Sequence, residues 1–163
     1  MKPRDKKPSD PKLANFLCFA IYSANLAYSR AYKPILEALG LTYPQFIAIV
    51  ALSEEDRQTV SSLGEKLFLE SNTLTPVLKK LEAMGYVRRE RDAEDERRVF
   101  VSLTDAGRRL RESSLEMNLV KASGLDPDGF RTMQQGIVTL RDNLARAARE
   151  ADGKRAPRSG RTR

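Results

Sequence analysis

Histidine and tryptophan are absent from this chain, cysteine occurs once, at Cys18, and no apolar run approaches the roughly 20 residues that a membrane span needs. One cysteine cannot close an intramolecular disulfide, and the opening residues "MKPRDKKPSDPK" lead into no secretory apolar region. A soluble, cytoplasmic protein with no membrane partner is expected. With no histidine, one thiol and no clustered carboxylates, little is left to build a zinc site or a Ser-His-Asp or Cys-His centre. Hydrolytic enzymes are therefore disfavoured, and neither a metal nor a cofactor is expected.

The 163 residues, 40% of them hydrophobic, suffice for one respectable core. The formal net charge is +7, but its location matters more than its size. Residues 1–12 carry +3 and residues 153–163 carry +5, which leaves −1 for residues 13–152. Ends such as "GKRAPRSGRTR" cannot bury enough apolar surface to offset their ordering entropy. Residues 1–12 and 151–163 are thus expected to be disordered basic tails, serving solubility or a loose affinity for phosphates.

Between the tails, apolar periodicity alternates with capping signals. Phe16, Leu17, Ala20, Ile21, Ala24 and Ala27 predict an amphipathic helix from about Leu13 to Tyr32. Pro34 should end it, with "ILEALG" adding a short turn or helix closed by Gly40. "TYPQFIAIVALSE" opens the next helix with Thr42 as N-cap, Gln45 completing a capping box and Pro44 in the first turn. "TVSSLGEKLFLESNTLTPVLKKLEAMGYV" then reads as two short helices across a tight turn. Val60, Leu63 and Leu67 face inward on the first, and Leu74, Leu78 and Leu81 on the second, a helix-turn-helix candidate. The second helix begins with Ser71, Asn72, Thr73 and Thr75, and Lys79 and Lys80 follow on its outer side. Hydroxyls and amides there reach base edges or phosphates, and lysines neutralise phosphates. Taken alone, the segment is equally an ordinary capped surface helix. Pro76 should lie in or near its first turn, because deeper it would remove a hydrogen bond.

"GYVRRERDAEDERRVFVSL" follows, with a helix-ending Gly85, a β-prone run, a charged turn and a return strand in which Val99, Val101 and Leu103 alternate with Phe100 and Ser102. A hairpin directly after a recognition helix is the winged-helix arrangement, and arginines at its tip, Arg97 with Arg98, suit the electronegative minor groove. The acidic residues of the tip must pair internally, Asp95 with a neighbouring arginine. Two closing helices are expected, a long one capped by Thr104 and another with Asp126 as N-cap and Pro127 at its first position. Val120, Leu125, Phe130, Met133, Ile137, Leu140 and Leu144 offer more apolar surface than one small winged helix covers. With the first helix they suggest a dimerisation module, or else a long intramolecular bundle. A two-fold dimer reads a palindromic operator with half-sites roughly 34–36 Å apart.

The order of a leading helix, "LTYPQFIAIVAL", "LFLESNTLTPVLKKLEAMGYVRRERDAEDERRVFVSLTDAG" and two closing helices resembles the MarR family of dimeric winged-helix repressors over about residues 13–150. The wing element "DAEDERR" is the most recognisable part. "LCFAIYSA", "AYKP" and "LTYPQ" resemble the OhrR branch, which senses organic hydroperoxides through one amino-terminal cysteine. The resemblance implies a mainly α fold with a small β-hairpin wing. It places the DNA-binding lobe at about 42–103 and the dimerisation helices at about 13–39 and 104–150.

Cys18, Tyr22, Asn25, Ser29 and Tyr32 stand at i, i+4, i+7, i+11 and i+14, one stripe of a regular helix. Tyrosine hydroxyls in line with a thiol can donate to the thiolate, the form that attacks a peroxide, and the early helix position adds a modest positive dipole. The resemblance implies that Tyr22 and Tyr32 reach the sensor cysteine from the partner subunit; periodicity alone leaves same-chain and cross-dimer contact open. Composition alone would make Cys18 an unreactive buried hydrophobe. With no second cysteine, an oxidised Cys18 must be captured by a small-molecule thiol, cyclise onto a backbone nitrogen or oxidise further.

The function expected is a homodimeric repressor, not an enzyme, that releases operator DNA when an organic hydroperoxide oxidises Cys18. The DNA contacts expected are Ser71, Asn72, Thr73, Thr75 and Lys79 for the major groove and Arg97 and Arg98 for the minor groove. The alternatives are a regulator released by a small aromatic ligand with Cys18 structural, a thiol-dependent peroxidase, and a nucleoid-type protein binding through its tails.

Overall fold

The structure, a computed structural model, describes residues 12–95, 97–114 and 120–155. Residues 1–11 and 156–163 of the expected tails and Glu96 of the wing tip lie outside the described residues. Two compact units divide the chain, residues 1–117 and 118–163.

The first unit opens with a single 3₁₀ turn at Leu13–Asn15 and helix α1, Leu17–Ala38. Helix α2 is Tyr43–Glu54, strand β1 Gln58–Thr59, helix α3 Val60–Leu67 and helix α4 Ser71–Ala83. Strands β2, Val87–Arg91, and β3, Val99–Leu103, precede helix α5, Asp105–Ser113. The three strands form an antiparallel sheet in the order β1-β3-β2, with Gln58 opposite Val101 and Arg89 opposite Val101 on its other side. The fold is therefore mainly α with a wing, as expected, but the wing is a three-stranded sheet. The two residues of β1 are too few to leave a period in the sequence.

Ile49, Leu52, Leu63, Leu74, Leu78, Leu81 and Val101 are fully buried and join α2, α3, α4 and the sheet into one core. The inward set expected on α4 is confirmed in full; on α3 Leu63 is buried, and Val60 and Leu67 are half-buried against it. The Thr42 amide donates to Gln45 Oε1 at 2.8 Å, closing the capping box at the start of α2. The helix-turn-helix corner is tight because Gly64 lacks a Cβ, which would stand 2.7 Å from the Leu69 carbonyl oxygen.

Pro34 and Pro76 depart from expectation. Helix α1 runs straight through Pro34 and ends at Ala38, where Gly40 at φ +65 lets the Leu41 amide donate to the Leu36 carbonyl at 2.9 Å. Burial of Leu36 against α2 outweighs the local preference of Lys33, and the carbonyl four residues before Pro34 belongs to the exposed Arg30. Pro76 is the sixth residue of α4, beyond the first turn. Its missing donor likewise falls opposite the exposed Asn72.

One carboxylate braces the base of the wing. Asp56 Oδ1 accepts the Leu103 amide at 3.0 Å and its Oδ2 accepts Arg108 Nη2 at 2.6 Å. Partial burial pushes this carboxyl up, but the hydrogen bonds from Leu103, Arg108 and Arg57 outweigh it and hold it below the usual carboxylate range. A depressed carboxylate stabilises the fold above its unfolded pKa, and the contribution disappears as pH falls through the folded value. Asp56→Asn is therefore expected to lower stability by about 1 kcal/mol at neutral pH, allowing for solvent screening of the pair. The gap in urea midpoint should close as pH falls below about 4; a gap independent of pH would contradict the ion-pair assignment.

From Leu17 to Ala31 every residue of α1 is exposed, including Leu17, Phe19, Ile21, Tyr22, Leu26 and Tyr28. Only its last turns enter the core. Helix α5 is nine residues long, shorter than expected, and residues 115–119 lie outside the described residues. In the second unit a 3₁₀ turn at Lys121–Ser123 leads to helix α6, Pro127–Arg155. Asp126 caps α6 through a 2.7 Å bond from the Gly129 amide. The helix thus continues past residue 150, so that residues 151–155, expected in the tail, are helical. Met133, Ile137, Val138 and Leu144 are exposed on it. Among the described residues no single helix is long and apolar enough to cross a membrane.

Candidate functional site

Cys18 is the second residue of α1, exposed, with its thiol free. Leu13, Phe16, Cys18, Phe19 and Tyr22 line an open recess of about 330 Å³. The 3₁₀ turn before α1 folds Leu13 and Phe16 back toward the helix, and Phe19 and Tyr22 follow Cys18 at i+1 and i+4. The result is a thiol in an almost wholly apolar cup, open to small molecules.

Tyr22 shares the recess with Cys18. Tyr32 does not: 14 positions further along a helix rising 1.5 Å per residue, it stands about 21 Å away. Its ring packs instead against Tyr43 and Phe46, with centroids 5.4 and 6.4 Å apart. Burial raises the pKa of the Tyr32 phenol, with Tyr43 and Tyr28 adding to the effect, so it stays a protonated hydrogen-bond donor well above neutral pH. Asn25 and Ser29 bond locally, Ser29 Oγ donating to the Asn25 carbonyl at 2.9 Å. Within one chain the stripe therefore gives the thiol one phenol, not two.

The candidate DNA surface is assembled on α4 and the wing. Asn72, Thr75 and Lys79 follow i, i+3, i+7 on the face turned away from Leu74, Leu78 and Leu81. Ser71 and Thr73 flank them in the first turn. All are exposed except Thr75, which is half-buried. The N-cap is Glu70, whose side chain makes no capping bond. Thr73 Oγ1 donates to Asn72 Oδ1 at 3.2 Å, fixing that amide at the helix start.

The wing tip organises itself as its charges require. Asp92 Oδ1 accepts the Glu94 amide at 3.0 Å and Asp95 Oδ1 accepts the Arg97 amide at 3.1 Å, with Arg97 Nε 3.9 Å away. Asp95 thus pairs with a neighbouring arginine. The Arg97 side chain is nonetheless 96% exposed and projects from the turn. Arg98 lies 3.5 Å from Asp92 and 5.4 Å from the ring centroid of Phe100, which leaves it a bracing role more than a free one. Sequence reasoning missed Arg57, which holds φ +54 and stacks its guanidinium 4.0 Å over Phe100. It also missed the bond between Glu82 and Arg89. Neither pair has a local signal, since their partners meet only once the sheet forms.

Residues 30–113 match the family described as transcriptional regulator SarA/Rot. The organic hydroperoxide resistance transcriptional regulator of Bacillus subtilis is 40% identical over 138 residues, covering 82% of this chain and 92% of that protein. The structure of reduced AbfR bound to DNA, a protein of Staphylococcus epidermidis, superposes with a TM-score of 0.71 at 35% identity, covering 83% of this chain and 94% of that one. Overoxidized AbfR bound to DNA superposes with a TM-score of 0.67 at 38% identity, covering 81% and 94%.

Proposed function

Because this chain belongs to the MarR family of winged-helix transcriptional regulators, we propose that it is a cytoplasmic, homodimeric repressor that holds a palindromic operator while Cys18 is reduced. An organic hydroperoxide oxidises Cys18, and the operator is released. The observation that carries this reading is the exposed thiol in its apolar cup. The run of exposed apolar side chains along α1, and separately that along α6, supports a second copy, because such runs are unusual on a monomer. In a dimer the partner's Tyr32 becomes the natural second phenol, since this chain's own lies too far along α1.

The Cys18 thiolate attacks the terminal peroxide oxygen; the S–O bond forms as the O–O bond breaks, and the alkoxide leaves to take a proton as the alcohol. Sulfur is oxidised to a sulfenic acid and the peroxide is reduced. The cup favours a peroxide with an alkyl or aryl tail, because the tail leaves water as the oxygen reaches sulfur. AbfR has been captured on DNA in its overoxidized state as well as reduced, which argues that added oxygen atoms alone need not release an operator. For this chain, with no second cysteine, that leaves cyclisation onto a backbone nitrogen or a mixed disulfide, formed when a small-molecule thiol condenses with the sulfenic acid and water leaves; the bulkier mixed disulfide is the releasing species in this reading. With the partner's Tyr32 drawn up to the thiol in the proposed dimer, the bulk of the adduct displaces the helices at that junction.

On the DNA side, Ser71, Asn72, Thr73, Thr75 and Lys79 enter the major groove and its phosphates, and Arg97 the minor groove, with Arg98 bracing the wing. The peroxide preference tests the cup. Cumene hydroperoxide should oxidise Cys18 faster than hydrogen peroxide does, and Phe16→Ala should shrink that advantage about tenfold, the equivalent of roughly 1.4 kcal/mol of lost apolar contact. Equal rates for both peroxides in the wild type would count against the reading.

A further inference from the structure

The recognition helix and the wing must reach neighbouring grooves together, and beyond their shared apolar core one side chain of α4 is hydrogen-bonded to the wing's outer strand. Glu82, the penultimate residue of α4, receives three hydrogen bonds from Arg89, the central residue of β2. The Arg89 amide donates to Oε1 at 3.1 Å, and its Nε and Nη2 donate to Oε2 at 2.8 and 2.6 Å. Strand β2 is the edge of the sheet, so this amide points away from β3 and the carboxylate takes the place of a further strand. We infer that Glu82 is a positioning residue for operator binding: its carboxylate clamps β2 to the end of α4 and so sets the reach of Arg97 relative to Asn72, Thr75 and Lys79. This rests on the DNA-binding mode proposed above.

The clamp is a device of orientation more than of stability. Its side chains are 24% and 36% exposed, which screens the charges. The wing meanwhile has its own anchors in buried Val87, Val101 and Leu103. Removing the carboxylate leaves the strands folded but frees the outer edge of the hairpin, whose tip lies beyond the last anchored residue. Arg97 then pays an ordering cost on binding that the clamp has already met in the free protein. The guanidinium of Arg89, committed to Glu82, is in this arrangement no phosphate ligand.

The test is a double-mutant cycle on the full-length dimer, read by fluorescence anisotropy on a duplex recovered by in vitro selection with the wild type. Glu82→Ala should weaken binding about tenfold, yet cost nothing further in an Arg97→Ala background. Glu82→Gln, which retains an acceptor for the Arg89 amide, should recover part of the loss. It also serves as the test variant if Glu82→Ala fails to fold. Losses that add in the double variant, or wild-type affinity for Glu82→Ala, would overturn the clamp while leaving the wing's role intact. Wild-type affinity for Arg97→Ala would overturn the wing reading and the clamp with it.

Discussion

A dimer carrying Cys18→Ser is expected to stay on its operator at a dose of cumene hydroperoxide and small-molecule thiol that removes the wild type. Serine preserves the shape of the side chain in the recess formed with Leu13, Phe16, Phe19 and Tyr22, so affinity before treatment should change little. Its hydroxyl does not attack a peroxide, and no second cysteine or histidine exists to take over. Modification can move the dimer off DNA only by as much as it favours the released arrangement. A hundredfold loss of affinity in the wild type corresponds to about 3 kcal/mol, which the bulk of a thiol adduct in a closed dimer junction can supply. The variant should show none of that loss. Release of both proteins would move the sensor elsewhere in the chain.

Gly107→Ala should produce the largest loss of stability, about 3 kcal/mol, with a corresponding fall in the unfolding midpoint. Gly107 lies in the first turn of α5, and a Cβ there would collide with the backbone carbonyl oxygen of Tyr86. That same oxygen accepts the Thr104 amide at 3.1 Å, while Thr104 Oγ1 donates to the Gly85 carbonyl at 2.6 Å and caps the Gly107 amide at 3.1 Å. Neither backbone can withdraw without breaking the cap that joins the wing to α5. Gly85→Ala makes the control. It has open space around it and only φ +77 to strain, so about 1 kcal/mol is expected. Similar midpoints for the two variants would show that the junction yields more easily than its geometry implies.

Elements defined by near neighbours in the chain were legible. Leu74, Leu78 and Leu81 marked the buried side of α4, and Thr42 with Gln45, Thr104, and Asp126 with Pro127 marked the helix starts, because each signal lies within one or two turns. Pro34 misled for the complementary reason. A local steric preference was weighed without the burial of Leu36, which carries α1 through Pro34. Strand β1 and the braces of the wing were invisible because Asp56 and Arg108 are 52 residues apart and meet only in the fold. At the candidate site, the i, i+4 spacing of Cys18 and Tyr22 was enough to place both in one recess. Tyr32 was aligned with them by periodicity, but periodicity fixes a face and not a distance, and the helix carries it into the core beside Phe46.

The most direct measurement follows Cys18 chemistry and operator occupancy in the same sample. The wild-type dimer on its operator is titrated with cumene hydroperoxide in the presence of a small-molecule thiol, with anisotropy reporting occupancy and intact mass reporting the state of Cys18. The account predicts that occupancy falls in step with the population carrying the thiol adduct. A dimer fully modified at Cys18 that keeps its wild-type affinity, or one that leaves DNA with Cys18 still a thiol, would contradict it.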